Sequence, residues 1–156
     1  MSYPVEPDYI IVELGDGATP TEAFTVMCGL EGGSVNQTVS SSDRFRRDCA
    51  KPAAVPTRKV RVNGKQWDIT ANGFINMDEF ERFNRALGVR RNYRMQFGQY
   101  DTQDATDTER TGTIYGYYSG PGVMTAHNIS AGGEDATAEV TIAGEDELVW
   151  TEGAPA

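Results

Sequence analysis

Residues 68–79 carry the spacing of a calcium-binding loop of twelve positions. The ligand positions one, three, five and twelve would be taken, in that order, by Asp68, Thr70, Asn72 and Glu79. Gly73 would take the sharp-turn position. Two features oppose this function: residues 59–67 alternate as a strand does, where an entering helix is needed, and only two of the ligands are carboxylates. The alternative is a strand, a turn through Asn72-Gly73 and a capped helix, and the sequence favours it.

Groups that could act in catalysis are few. His127 is the only histidine, and no serine lies in a Gly-x-Ser-x-Gly turn. Cys49 has basic neighbours that would favour a thiolate, but an anchoring role for this loop is the simpler interpretation. No glycine-rich loop is followed by the Lys-Ser/Thr pair that cradles a phosphate. The sequence therefore predicts no enzyme, no catalytic residue, no cofactor and no bound metal.

The two cysteines and an acidic run complete the chemically notable groups. Cys28 and Cys49 fit neither a zinc site nor a disulfide-rich scaffold, so we expect reduced thiols, with a bond between them as the alternative. Four acids recur in a threonine-rich stretch: Asp101, Asp104, Asp107 and Glu109. This composition predicts a solvated hairpin tip.

The elements that must position these groups are mostly strands, because apolar residues alternate along much of the chain. Strand signals occur in ten stretches, from which we expect roughly eight or nine strands: residues 9–14, 22–30, 34–39, 58–62, 65–69, 93–97, 112–118, 123–129, 138–142 and 148–150. One helix is predicted over Met77–Leu87, with Asn76 as its cap and Gly88 as its stop signal. The fold class that follows is mainly β: an antiparallel β-sandwich or half-barrel with one short flanking helix.

Three segments are predicted to break the strands. Residues 40–56 are polar, basic and contain two prolines, so we expect a long loop with little regular structure. Asn63-Gly64 predicts a tight hairpin turn, and Ser119–Gly122 predicts another turn. We expect a single domain over residues 9–150, with an N-terminal arm at 1–8 and a C-terminal tail at 151–156.

The net charge of −9 hides a partition along the chain. Residues 1–43 have a balance of −7, residues 44–94 of +8, and residues 101–156 of −10. Two interpretations stay open: folding mixes the segments into an even surface, or it produces opposed charged faces suited to head-to-tail self-association. The acidic total argues against a protein that grips nucleic acid. No apolar stretch reaches the roughly 18 to 20 residues of a membrane span, so we expect no membrane insertion.

The order of several motifs resembles a known family. The run Val35–Val39 leads to Ser42-Asp-Arg-Phe-Arg-Arg-Asp-Cys49, Lys51-Pro52 and Gly64-Lys-Gln-Trp-Asp-Ile69. A short helix, a glycine-flanked strand pair through Tyr115–Gly122 and a terminal strand at Ala138–Ile142 follow. This order, from about Phe24 to Trp150, resembles the tail tube (major tail) proteins of long-tailed bacteriophages.

The resemblance implies a structural virion protein. Six copies would form a ring, and rings would stack into a hollow tube that conducts double-stranded DNA without specific binding. It implies tape-measure and tail-terminator or tail-tip proteins as further partners, assembly in the host cytoplasm, and a final location in the virion. It also implies a loop that reaches a neighbouring subunit, for which the candidates are Arg44, Phe45, Arg46, Arg47 and Lys51. The acidic tip would face the lumen or the outer surface.

A different class of function remains as an alternative. Tyr115, Tyr117 and Tyr118 fall in one short strand, and together they could form an aromatic platform. A β-sandwich module that binds carbohydrate or peptide would use such a platform. The calcium-binding domain is the third hypothesis.

Overall fold

The computed structural model describes residues 5–18 and 21–156, which form eight strands and one helix. The strands are β1 (Tyr9–Gly15), β2 (Phe24–Val26), β3 (Leu30–Arg46), β4 (Thr57–Phe74), β5 (Arg90–Tyr100), β6 (Gly112–Ser130), β7 (Thr137–Gly144) and β8 (Val149–Glu152). The helix α1 (Phe80–Ala86) lies between β4 and β5. Within these ranges, no helix has the length and apolar character needed to cross a membrane.

All strands join one antiparallel sheet in the order β2-β1-β5-β6-β7-β4-β3. The short strand β8 pairs with the first half of β6, and β7 pairs with the second half. Both lie along the same edge of β6, opposite β5. The sheet curls so far that β1 contacts β3, although the two strands are not hydrogen-bonded to each other. The predicted fold class is confirmed in the form of a half-barrel, because the sheet does not close into a full barrel.

The concave face of the sheet holds the core. Alternate residues of β1, β4, β5, β6 and β7 point inward and are almost fully buried, among them Val12, Trp67, Ile69, Tyr93, Met95, Met124, Val140 and Ile142. Trp67 lies over two glycines, because a β-carbon at Gly144 or Gly120 would overlap its ring. The period-two pattern therefore marks the strands that line this core.

The helix is shorter at its start than predicted. Residues 77–79 form a turn, in which the Asn76 side chain accepts a hydrogen bond from the backbone of Asp78 at 3.1 Å. The stop signal is confirmed, since Gly88 has a φ of 77°. Phe83 is buried against the core, and the Gly88 backbone N–H donates to the Met124 carbonyl at 2.9 Å. These contacts fix α1 over β6.

All three predicted turns are wrong. Asn72 and Gly73 lie within β4 and pair with β7. Asn63 is the extra residue of a bulge, because Ser40 pairs with Gly64 and Ser41 with Val62 while β4 continues on both sides. The Ser119–Gly122 segment lies within β6, which changes partners there from β5 and β8 to β7. Glycine at position 120 leaves room for the Trp67 ring, so its role is close packing and not a turn of the chain.

The strand predicted over residues 22–30 is also interrupted. Only Phe24–Val26 is strand, and the chain then turns at Gly29, whose φ of 101° favours glycine. Leu30 begins β3. The apolar residues of this segment indicated one strand, but the turn at Gly29 divides it between β2 and β3.

Candidate assembly surfaces

The long loop predicted over residues 40–56 is confirmed for residues 47–56, and the part before it, up to Arg46, is strand. β3 continues to Arg46 and β4 begins at Thr57, so only residues 47–56 form the connection. We call residues 41–62, which lie beyond the bulge, the hairpin extension. A loop was predicted because this part of β3 shows no apolar alternation. The alternation is missing because both faces of the extension are exposed to solvent.

The hairpin extension places the five candidate loop residues at its far end. Arg44, Phe45 and Arg46 close β3, and Arg47 and Lys51 lie in the connection. The extension carries seven bases and two acids. All of its residues except Ser42 and Pro56 are exposed, so most of its side chains are available for contact with another molecule.

The two faces of the hairpin extension differ in chemistry. Cross-strand partners share a face, so the pairs Ser42–Arg61, Arg44–Lys59 and Arg46–Thr57 lie on one side and form its basic face. The pairs Ser41–Val62, Asp43–Val60 and Phe45–Arg58 lie on the other side and form its apolar face. Phe45 is 73% exposed, and Val60 and Val62 are more than half exposed. An ion pair between Arg58 and Asp43 at 3.8 Å is consistent with their common face.

A second exposed apolar surface lies where β5, β6 and β8 meet. We call it the aromatic groove; it encloses about 450 Å³ and is lined by Val5, Pro7, Phe97, Tyr115, Tyr118 and Trp150. Trp150 lies edge-on to Tyr118, with ring centroids 4.9 Å apart, and Phe97 lies 6.1 Å from both rings. Trp150 is 43% exposed. Exposed aromatic patches of this kind are typical of interaction surfaces.

The sequence did not reveal this groove. Val5, Phe97 and Trp150 are far apart in the chain, and only the pairing of β8 with β6 brings Trp150 onto Tyr118. The one available signal was a tryptophan close to the end of the predicted domain. A period-two pattern does not say which strands are neighbours, so it could not have placed these residues together.

The three tyrosines of the predicted platform do not share one surface. Tyr115 and Tyr118 line the aromatic groove, whereas Tyr117 points to the opposite face of the sheet. There it lies 5.5 Å from the Arg94 guanidinium, which also stacks on Phe24 at 3.5 Å. Successive strand residues point to opposite faces, so Tyr117 and Tyr118 cannot present one platform.

Arg94 belongs to a polar cluster on this opposite face. Its guanidinium lies 3.7 Å from the Glu13 carboxylate, which also accepts a hydrogen bond from Gln96. Burial raises the pKa of Glu13, while the positive charge of Arg94 acts in the opposite direction. The cluster joins β1 to β5 across the outer face of the sheet.

The acidic residues predicted at a hairpin tip lie in the connection between β5 and β6, where Tyr100 pairs with Gly112. Asp101 accepts hydrogen bonds from the hydroxyls of Thr111 and Thr113, at 2.6 and 2.7 Å. Asp104 accepts one from the Thr106 hydroxyl at 2.7 Å. These hydrogen bonds favour the charged carboxylates and lower the pKa values of Asp101 and Asp104. Asp107 and Glu109 complete the exposed tip.

The calcium-loop pattern does not form a loop. Residues 68–74 are the end of β4 and pair with β7, so Asp68, Thr70 and Asn72 lie along an extended strand, while Glu79 lies in the turn before α1. Among the described residues, no group of three His, Cys, Asp or Glu side chains could hold a metal ion. Cys28 and Cys49 are both exposed and unbonded, as predicted for reduced thiols.

His127 lies between β6 and α1. Its ring packs against Phe80 and Phe83, with centroids 5.8 and 5.6 Å away, and its Nδ1 lies 3.2 Å from the Asn84 side-chain oxygen. Burial lowers the pKa of His127 from its ordinary value of 6.5. These contacts give His127 a packing role beneath the helix.

Acidification is expected to weaken the fold through His127. Its pKa is lower in the folded state, so below pH 6.5 the unfolded chain binds more protons and the free energy of unfolding falls. The loss is complete below the folded-state pKa and absent above pH 6.5. Urea unfolding at pH 7.5 and 5.5 should show a smaller pH effect in His127→Gln than in the unchanged chain, and equal effects would contradict this role.

The fold is one that solved structures of tails and injection systems contain. A chain in the tail of an empty gene transfer agent particle, refined with C6 symmetry, matches with a TM-score of 0.60 and 15% identity, covering 91% of this chain and 95% of that chain. The SPP1 tail tube matches with a TM-score of 0.58 and 8% identity, covering 97% and 80%. The sheath-tube complex of an extracellular contractile injection system, PVC, matches with a TM-score of 0.56 and 14% identity, covering 97% and 94%.

Sequence comparison adds nothing to these structural matches. No protein-family profile matches the chain, and no curated protein matches it either. At identities of 8–15%, the structural matches establish a common fold. The fold expected from the resemblance to tail tube proteins is therefore confirmed.

Proposed function

We propose that this chain is a structural subunit of a tail tube. Six copies form a ring, and rings stack into a hollow tube through which double-stranded DNA passes into the host. The chain then acts as part of a virion, assembled in the host cytoplasm, and not as an enzyme. Tape-measure and tail-terminator or tail-tip proteins are its further partners.

The observation that carries this proposal is the hairpin extension. A two-stranded ribbon is marginally stable alone in water, and this one has an apolar face that no described part of the chain covers. Contact with a neighbouring subunit would bury that face. The matching structures support a tubular assembly, and one of them was refined with six-fold symmetry.

Free strand edges offer a second means of association. Within the described residues, β3 pairs only with β4, so its outer edge presents unpaired backbone groups along the strand. The other edge strand of the sheet is β2, which has only three residues. Open edges favour pairing with further copies, and a closed ring removes them. We infer that the predicted arms, residues 1–8 and 151–156, contribute to the same contacts. Residues 151–152 are also part of β8, and residues 1–4 lie outside the described ranges.

The charge of the chain suits a conduit for DNA. We propose that acidic residues, with Asp101, Asp104, Asp107 and Glu109 as candidates, lie along the lumen or the outer surface of the tube. A negative lumen would repel the phosphate backbone, so DNA would pass without binding. The hairpin extension, with its net positive charge, would face acidic surfaces of a neighbouring subunit.

Electron microscopy of the purified, concentrated chain is the direct test. We expect hollow tubes or six-fold rings in negative stain, and a mass well above 17.0 kDa by light scattering. A control with residues 42–61 replaced by a short Asn-Gly turn keeps the core strands and should remain monomeric. Persistent monomers of the unchanged chain at every concentration would contradict the proposed function.

A further inference from the structure

We propose that the apolar face of the hairpin extension in one copy docks into the aromatic groove of another copy. This inference rests on the proposed self-assembly and names the surface that receives the hairpin. Both surfaces are apolar and solvent-accessible in the single chain. Phe45, Val60 and Val62 are exposed on the hairpin, and in the groove Tyr115 and Trp150 are exposed beside the half-buried Tyr118. Burying both in one contact removes two exposed apolar patches.

The hairpin extension cannot fill the groove of its own chain. The side chain of Gln37 donates a hydrogen bond to the Tyr118 hydroxyl at 3.4 Å, so the base of the hairpin already lies beside the groove. Phe45 lies eight residues further along the same strand, about 26 Å away at the usual rise of 3.3 Å per residue. The hairpin therefore leads away from the groove of its own chain, so a hairpin that fills this groove belongs to a second copy.

This geometry makes the contact head-to-tail. Each copy presents one hairpin and one groove at separated positions, so one contact leaves a free hairpin and a free groove at the ends of the pair. Contacts of this kind continue until they close a ring or extend as a filament. The docking therefore produces the kind of assembly that the proposed function requires.

The charges of the two surfaces are complementary. Acids flank the groove: Glu6 and Asp8 lie beside its wall residues Val5 and Pro7, and Glu152 shares the face of Trp150 on β8. All three acids are exposed. The hairpin extension has a balance of +5, so its approach to the acidic rim is favoured. Phe45, as the largest apolar side chain on the ribbon, would be the anchor in the groove.

Disulfide cross-linking tests the docking directly. Two chains are prepared in a Cys28→Ser, Cys49→Ser background, one with Val60→Cys on the apolar face and one with Val5→Cys in the groove wall. Both valines are exposed, so the folds should survive. After mixing and mild oxidation we expect a disulfide between the two chains, identified by mass spectrometry. The matched control is Lys59→Cys, one residue away on the basic face, which should cross-link at least fivefold less.

A double-mutant cycle gives a second measurement that does not depend on disulfide geometry. Phe45→Ala and Trp150→Ala should each raise the critical concentration for assembly roughly tenfold, as loss of an interface anchor does. If the two side chains meet, the double variant should also show about a tenfold rise, because the second change removes a contact already lost. A roughly hundredfold rise would show independent effects.

The outcomes separate this inference from the proposed function. Tubes with equal cross-linking of Val60→Cys and Lys59→Cys, or with additive effects in the cycle, would overturn the groove contact and leave the tube. Absence of any tube or ring would overturn the proposed function. A disulfide between two hairpins in place of hairpin and groove would also overturn the inference.

Discussion

Replacement of Arg44, Arg46 and Arg47 with glutamate is expected to abolish tube formation and to leave the folded monomer intact. Each reversal changes the charge by two, so the hairpin extension goes from +5 to −1. Like charges brought together at an interface cost several kcal/mol, enough to raise the critical concentration at least a hundredfold. Electron microscopy and light scattering would measure the loss of tubes.

The monomer should tolerate this change because the three side chains are exposed and none is in an ion pair within the described ranges. We expect the free energy of unfolding to change by no more than about 0.5 kcal/mol. The control is the triple replacement with lysine, which keeps the charge and should still form tubes. Tubes of normal length from the glutamate variant would contradict the role assigned to the hairpin extension.

Trp67→Ala is expected to cause the largest loss of stability, about 3–5 kcal/mol. Trp67 is 3% exposed, packs over Gly144 and Gly120, and donates a hydrogen bond from Nε1 to the Glu145 carbonyl at 3.2 Å. Alanine would leave a cavity in the middle of the curled sheet and an unpaired carbonyl. Urea unfolding of the dilute monomer, followed by circular dichroism, measures this loss.

Trp150→Ala is the matched control, because it removes the same side chain from the exposed aromatic groove. We expect a loss of about 1 kcal/mol or less in the monomer, together with weakened assembly. Gly144→Ala should reproduce much of the Trp67 effect, since its β-carbon would overlap the indole ring. Equal losses of monomer stability for the two tryptophan variants would contradict the different roles of these residues.

The hairpin extension shows where sequence patterns stop being informative. β3 and β4 were predicted correctly near the core, where Val35 and Ile69 alternate with polar residues. Beyond Ser40, β3 has no buried side within the chain, and its sequence resembled that of a loop, whereas the facing part of β4 was predicted as a strand at residues 58–62. Backbone pairing continues in β3 without apolar alternation, so only the structure could identify this part of β3 as a strand.

The turns predicted at glycine residues were wrong for a related reason. Asn63-Gly64 and Ser119–Gly122 have the composition of turns, yet one forms a bulge and the other lies within a strand. In β6, the small size of Gly120 accommodates Trp67, and that of Gly116 accommodates Trp150. A glycine that makes room for a distant side chain cannot be distinguished by local sequence from one that turns the chain.

The sequence by itself determined the antiparallel β-class, the single helix near residues 77–87, the acidic tip and the basic segment that became the hairpin extension. These features depend on local alternation, helix stop signals and charge, which neighbouring residues in the chain encode. Only the tertiary structure decided the strand order, the two faces of the hairpin and the grouping of Phe97, Tyr118 and Trp150 into a groove. Such features depend on pairing between distant segments, and the free energy of that pairing comes from packing that no local pattern records.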